Sequence, residues 1–162
     1  MSAGAVASAK ELQPLIARLR DTTETQRQIA APVVDALRTS RLCRMALPTE
    51  LAGLAVPPAE ALAVYEQLAR AEASVGWIVW NSALPCFFGR FLTAEARAEI
   101  FGDPRAIYAS STRPSGRAAV QGESYLVEGR WSLVSGCELA DWMPLRSVVH
   151  EGGQPRMLQP NV

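Results

Sequence analysis

The sequence predicts an α+β fold in which the helices come first and the strands second. Two observations carry this reading. Up to about residue 102 apolar residues recur at three- and four-residue spacing, whereas from Ala106 onward the spacing falls to two. Gly102-Asp103-Pro104 separates the two regimes, so the chain divides into a helical domain, residues 1–104, and part of a β domain, residues 105–162.

Leu12, Leu15, Ile16 and Leu19 occupy one helical face. Ser8 and Glu11 fit a capping box, but Pro14 would then lie inside the helix, and a start near Gln13 competes. Val33, Val34 and Leu37 mark a second helix with Pro32 in its first turn. Leu47 to Pro58 reads as a loop. Pro58 opens a helix with the face Ala61, Val64, Tyr65 and Leu68. Ser74 is placed to cap an apolar helix reaching about Leu84, and Thr93 a short one ending at Gly102. In the second half, Ile107–Thr112 is predicted as a strand broken by Arg113-Pro114-Ser115-Gly116. Tyr125–Val127 and Trp131–Val134 flank a hairpin turn at Glu128-Gly129. Leu145–Val149 is a further strand, Glu151–Gln154 a turn, and Met157-Leu158 the start of one more. So short an open sheet leaves unpaired edges, which predicts that further elements complete it.

Composition narrows the function. Sixteen basic residues balance sixteen acidic ones, which disfavours nucleic acid or an anionic membrane surface as partner. No apolar run approaches the roughly 18 residues of a spanning helix. The first residues lack the basic and apolar regions of a secretory signal, so a cytoplasmic setting is expected. Cys43, Cys86 and Cys137 are too widely spaced for a zinc site and odd in number, which predicts buried free thiols and no bound metal. His150, the one histidine, is assigned no role.

The segment from Gly129 to Trp142 is the most informative. Two tryptophans, Trp131 and Trp142, bracket Ser135-Gly136, so a hydroxyl and backbone N–H groups would sit beside a flat apolar wall. Such a combination suits the edge of a planar, hydrogen-bonding cofactor. Trp77, Trp80, Asn81 and Phe87 form a second cluster, with Trp77 and Trp80 sharing a helical face and Asn81 adding one polar group. That mixture suits an aromatic ligand as well as an ordinary helix core.

These pieces resemble the acyl-CoA dehydrogenase superfamily. Pro48-x-Glu50-Leu51-x-Gly53 is similar to the family's P-x-E-L-G-G loop, with Ala52 in place of the first glycine. Glu66 to Trp77 is similar to its E-L-A-R-A-D-x-S-x-G-W segment, and Trp131 to Trp142 to its middle-domain flavin motif. The nearest branch is that of two-component, aromatic-hydroxylating flavin monooxygenases. The resemblance implies a helical domain followed by part of an antiparallel β-barrel, with a C-terminal four-helix bundle expected elsewhere. It also implies FMN or FAD, reduced by a separate reductase, and a homo-oligomer or dependence on that bundle.

Residue by residue, it places the Ser135 hydroxyl and amide at the flavin N5 edge in a catalytic role, with Gly136 beside it. It further places Trp131 against the flavin ring, Thr112 at the pyrimidine side, and Trp77, Trp80, Asn81 and Phe87 around a small-molecule substrate. The implied activity is oxygen insertion into an aromatic or related substrate. Two alternatives stay open: an acyl-CoA dehydrogenase using FAD, against which Arg113 stands where those enzymes carry an acidic residue, and a non-catalytic relative serving as an interaction domain.

Overall fold

The computed structural model describes residues 3–157. Six α-helices lead into a four-stranded sheet: α1 (Ala3–Arg18), α2 (Arg20–Gln26), α3 (Ala31–Ser40), α4 (Pro58–Ala71), α5 (Ala73–Cys86) and α6 (Ala94–Phe101), then β1 (Ser111–Gln121), β2 (Ser124–Gly129), β3 (Leu145–Glu151) and β4 (Gln154–Pro155). Short 3₁₀ turns at Leu42–Arg44, Thr49–Leu51 and Phe87–Phe91 connect the helices.

The helical core follows the apolar spacing. Ile16 of α1, Val33 and Leu37 of α3, Val64 and Leu68 of α4, and Val75 and Val79 of α5 are buried together with Ile107 from the start of the β region. Contrary to the expected start near Ser8 or Gln13, α1 runs straight through Pro14. Pro14 is exposed, so the acceptor it orphans faces solvent, while Ile16 packs inward and holds the helix on α4. Gln13 adds a bond to the Gln67 carbonyl at 2.7 Å. The cap of α5 is Glu72, whose carboxylate accepts from the Ser74 amide at 3.2 Å, and not Ser74 itself. Thr93 does cap α6.

The strands depart further from the sequence reading. β1 begins at Ser111 and continues through Arg113–Gly116, whereas Ile107–Ser110 is irregular apart from one bridge between Tyr108 and Trp142. The parallel ladder between β1 and β3 pairs Ser111 with Leu145 and then Gly116 with Ser147. Four β1 residues therefore bulge outward between the paired positions, and Pro114, which has no amide to donate, lies in that bulge. The β1–β2 hairpin turns at Gly122-Glu123 instead of Glu128-Gly129. Trp131–Val134 is not a strand. Sheet order is β2-β1-β3-β4, with β1 and β3 parallel and the outer pairs antiparallel, so the partial sheet is mixed and closes no barrel. β3 and the turn at Gly152-Gly153 match expectation, and the strand expected from Met157-Leu158 falls largely outside the described residues. Cys43 and Cys86 are buried, and desolvation pushes both thiols up to about 12; Cys137, expected to be buried, is exposed.

The loop between α3 and α4 folds tightly on itself. The Gly53 amide bonds the Pro48 carbonyl, and a Cβ at Gly53 would lie 2.1 Å from the Leu47 carbonyl oxygen. Its neighbour Ala52 sits in the left-handed region, at φ +54°, where an alanine carries a steric penalty that glycine escapes. Ala52→Gly removes a left-handed penalty of roughly 1–2 kcal/mol against an unfolded-state entropy cost of roughly 0.4–1 kcal/mol, so it should raise the urea midpoint at unchanged slope.

Candidate active site

The seam between helices and sheet is built on α5. Trp77 and Trp80 stack along its outer face with ring centroids 4.7 Å apart, and Trp77 is 54% exposed despite its size. Facing them are the Ser110–Arg113 segment at the start of β1 and the turn that carries Leu133 and Ser135. Together with Asn81 and Leu84 these groups enclose a cleft of about 200 Å³. A second cleft, about 340 Å³, shares Leu84, Ser110, Ser111 and Thr112 with the first and extends between Phe87, Phe88 and β3. The structure thus brings Trp77, Trp80, Asn81, Thr112 and Ser135 together, with Phe87 in the adjoining cleft.

Side-chain hydrogen bonds to the main chain hold the turn in place. Asn81 is buried; its amide nitrogen donates to the Ser135 carbonyl at 2.7 Å and its amide oxygen accepts from the Ser110 hydroxyl at 3.3 Å. Gly136 lies against Ile78 with φ +81°, a conformation suited to glycine at this close approach to α5. The following residues close the turn through Cys137 N–H to the Val134 carbonyl and Leu139 N–H to the Gly136 carbonyl. Beyond it, Asp141 accepts from Arg38 of α3 at 2.6 Å and from the Ile107 amide at 2.8 Å, while Arg38 also donates to the Leu139 carbonyl. Burial works against ionisation of Asp141, but the bonds from Arg38 and the Ile107 amide outweigh it, so its carboxyl lies below the ordinary range.

What remains uncommitted defines the chemistry. Among the described residues, the hydroxyls of Ser135 and Thr112 and the amides of Ser135 and Gly136 donate to no group. The Ser135 hydroxyl and amide at the cleft, with the Thr112 hydroxyl across it and an indole pair alongside, fit the acceptor-rich edge and flat face of a heteroaromatic ring system.

Trp131 is not brought to the cleft. Its indole N–H donates to the Arg146 carbonyl at 2.7 Å and its ring covers Gly116 and Gly129. Leu133 takes the position beside Ser135 instead, with φ +58° and a side chain 75% exposed at the cleft. The family resemblance had placed Trp131 there; residues 131–134 are irregular, and the Trp131 ring turns onto Gly116 and Gly129. Phe88 and Arg146 also line the clefts without having been singled out, and Arg113, noted only against the acidic loop of the acyl-CoA dehydrogenases, lines the first; an exposed bulge and a parallel pairing leave no local pattern.

A helical domain whose last long helix offers an aromatic wall to a donor-bearing turn on a short sheet defines the class of protein. The chain belongs to the acyl-CoA dehydrogenase family: residues 5–102 match the model of the acyl-CoA dehydrogenase N-terminal domain. It is 31% identical over 156 residues to the oxygenase subunit HsaA of a flavin-dependent monooxygenase from Mycobacterium tuberculosis, a match spanning 93% of this chain and 38% of the relative. It is 29% identical over 145 residues to an indole-3-acetate monooxygenase of Pseudomonas putida, covering 86% of this chain and 37% of that one. The crystal structure of the M. tuberculosis HsaA monooxygenase superposes with a TM-score of 0.87 at 28% identity, over 94% of this chain and 40% of its own. The chain therefore spans about two fifths of the length of the relatives it matches.

Two outcomes test this geometry. Asn81→Leu keeps the volume but strands the Ser135 carbonyl and the Ser110 hydroxyl, so stability should fall by about 1–3 kcal/mol and hydrogen exchange of the Cys137 and Leu139 amides should accelerate. Unchanged exchange would show that the turn is held by something else. Asp141→Asn should destabilise at neutral pH. Because the folded carboxyl is depressed, its contribution is full above the ordinary aspartate range and lost as pH falls through the lower folded value, so the two unfolding curves should converge in acid.

Proposed function

We infer that this chain forms the helical and first β portion of the oxygenase component of a two-component flavin-dependent monooxygenase, acting on an aromatic or related small substrate. The uncommitted donor set on the Ser135-Gly136 turn beside the Trp77–Trp80 pair is the observation that carries this reading. The monooxygenases it resembles support it, as does an adjoining cleft walled by Phe87 and Phe88.

In this reading the Ser135 hydroxyl and the Ser135 and Gly136 amides hold the N5 and O4 edge of FMN or FAD, and Thr112 faces its pyrimidine side. Leu133 covers the ring face in the place expected for Trp131, which acts from further out by fixing β3. Bound reduced flavin supplies the two electrons with which one atom of O₂ enters the substrate and the other leaves as water. Trp77, Trp80 and Phe87 wall the substrate and keep water from the reacting centre, while Asn81 positions the Ser135 turn. Reduced flavin comes from a separate reductase in the cytoplasm, and the remainder of the site is completed by further segments or copies of the protein.

Titrating FMN and FAD, oxidised and anaerobically reduced, into the purified chain tests this directly. Binding in the micromolar range is expected, and its absence for all four would refute the reading. Ser135→Ala should weaken flavin by about 0.5–1.5 kcal/mol, roughly two- to thirteenfold, the worth of one neutral hydrogen bond. Ser132→Ala should not, since Ser132 is exposed and off the cleft. Equal losses in the two variants would remove Ser135 from the flavin edge.

A further inference from the structure

Arg146 lines the second cleft without an anionic partner. Among the described residues, Arg20, Arg38, Arg70, Arg105 and Arg156 each pair with a carboxylate; Arg146, an exposed residue, shares the lack of such a partner with the other arginines and is set apart by the aromatic-walled cleft it lines. Its guanidinium instead stands 5.7 Å from the centroid of the Phe88 ring and makes one long contact, 3.4 Å, to the Thr112 carbonyl. The backbone beneath it is fixed. Trp131 donates to the Arg146 carbonyl at 2.7 Å, and the neighbouring Leu145 pairs with Ser111 across the parallel ladder. The β1 bulge lies opposite, so no strand side chain is in register to neutralise the charge. The rest of the lining joins the apolar and aromatic Leu84, Phe87, Phe88, Pro144 and Leu145 to the small polar Ser110, Ser111 and Thr112, none of which carries a charge.

A planar guanidinium at the rim of an aromatic-walled cleft recognises one kind of small molecule well, an aromatic ring bearing a carboxylate. We propose that Arg146 is a specificity-determining residue that binds the carboxylate of an aryl acid substrate, with Phe87 and Phe88 packing against its ring and Trp131 positioning the arginine. The inference deepens the monooxygenase reading and rests on it for the word substrate. The binding site itself stands on the geometry alone. The shared wall at Leu84 and Thr112 lets a ligand held by Arg146 extend into the cleft beside Ser135.

The test compares 2-naphthylacetate with its neutral amide, 2-naphthylacetamide, on the full chain, by equilibrium dialysis. The wild type should prefer the acid by about tenfold or more, the preference falling with added salt. Arg146→Gln should abolish the preference by weakening the acid while leaving the amide unchanged; Arg113→Gln, at the neighbouring cleft, should leave the preference intact. Equal binding of acid and amide by the wild type overturns the proposal, as does a preference that survives Arg146→Gln or is lost in Arg113→Gln. A parallel titration with FMN and riboflavin separates the two levels of inference. If Arg146→Gln weakens FMN selectively over riboflavin, the guanidinium serves the flavin phosphate and the aryl-acid assignment fails. If flavin binds normally but no acid preference exists, this proposal fails and the monooxygenase reading stands. An Arg146-dependent acid preference in a chain that binds no flavin has the opposite meaning.

Discussion

A fully buried cation, Arg44, imposes the constraint around which the two halves of this chain are organised. Its side chain has no solvent exposure, and a guanidinium removed from water needs protein acceptors for its donors; both terminal nitrogens find them, while the buried Nε has none. Arg44 donates to the Leu51 carbonyl in the loop before α4, to the Phe101 carbonyl at the end of α6 at 2.7 Å, and to the Tyr108 hydroxyl at the entry to the sheet. Two stretches far apart in sequence, the one that follows Arg44 and the one from Phe101 to Tyr108, therefore converge on one side chain. Burial raises the Tyr108 phenol, despite the opposing effect of Arg44, so it stays protonated and its hydroxyl donates a hydrogen bond to the Ile100 carbonyl. With Tyr108 fixed, its amide meets the Ser82 hydroxyl of α5 at 2.9 Å, and residues 106–110 lie along that helix. Ser110 then reaches Asn81, and Asn81 reaches Ser135. The candidate site is the far end of a polar chain that starts at a buried charge.

How much of this was legible in the sequence depended on whether a feature is local. The helical faces were, because Ile16, Leu37, Val64 and Leu68 obey a period that burial enforces within single helices. The Thr93 cap was, because its partner is three residues away. The strand pairing was not. β1 and β3 are joined in parallel across more than twenty residues, and the bulge that accommodates Pro114 has no signature except the proline, which reads locally as an end and not as an excursion. The resemblance put Trp131 beside Ser135, but with 131–134 irregular it is Leu133 that lines the cleft there and Trp131 that bonds the Arg146 carbonyl. Arg44 was invisible for a different reason. An arginine between Cys43 and Met45 is expected to be exposed, and only the convergence of carbonyl and hydroxyl groups from two stretches of chain explains its burial.

The division of labour across the seam follows from these facts. The helices supply rigidity through apolar packing, which is indifferent to small displacements, and they present the indole pair and the phenyl rings as a wall. The β side supplies direction, through hydroxyls and amides whose usefulness falls steeply with misalignment. Joining them by hydrogen bonds that Asn81 and Arg38 donate to main-chain carbonyls and that Ser82 accepts from a main-chain amide, instead of by packing alone, transmits the position of the helices to the turn with the precision a hydrogen bond demands. A purely apolar seam would have held the halves together as firmly without fixing where Ser135 sits.

Free donors gain meaning from this economy. Along residues 106–142 the chain satisfies Ser110, Ser111, Asp141, Trp131 and Asn81 through specific partners, several of them distant in sequence. Against that background, the donors left over on Ser135 and Thr112 and the charge of Arg146 gain weight from where they lie, on the walls of two clefts that share Leu84 and Thr112, between aromatic side chains whose exposure leaves apolar area in contact with water. Unspent hydrogen-bonding capacity and unburied aromatic area at the same place are what a ligand of mixed character would consume together, the ring covering the aromatic wall and its heteroatoms meeting the donors.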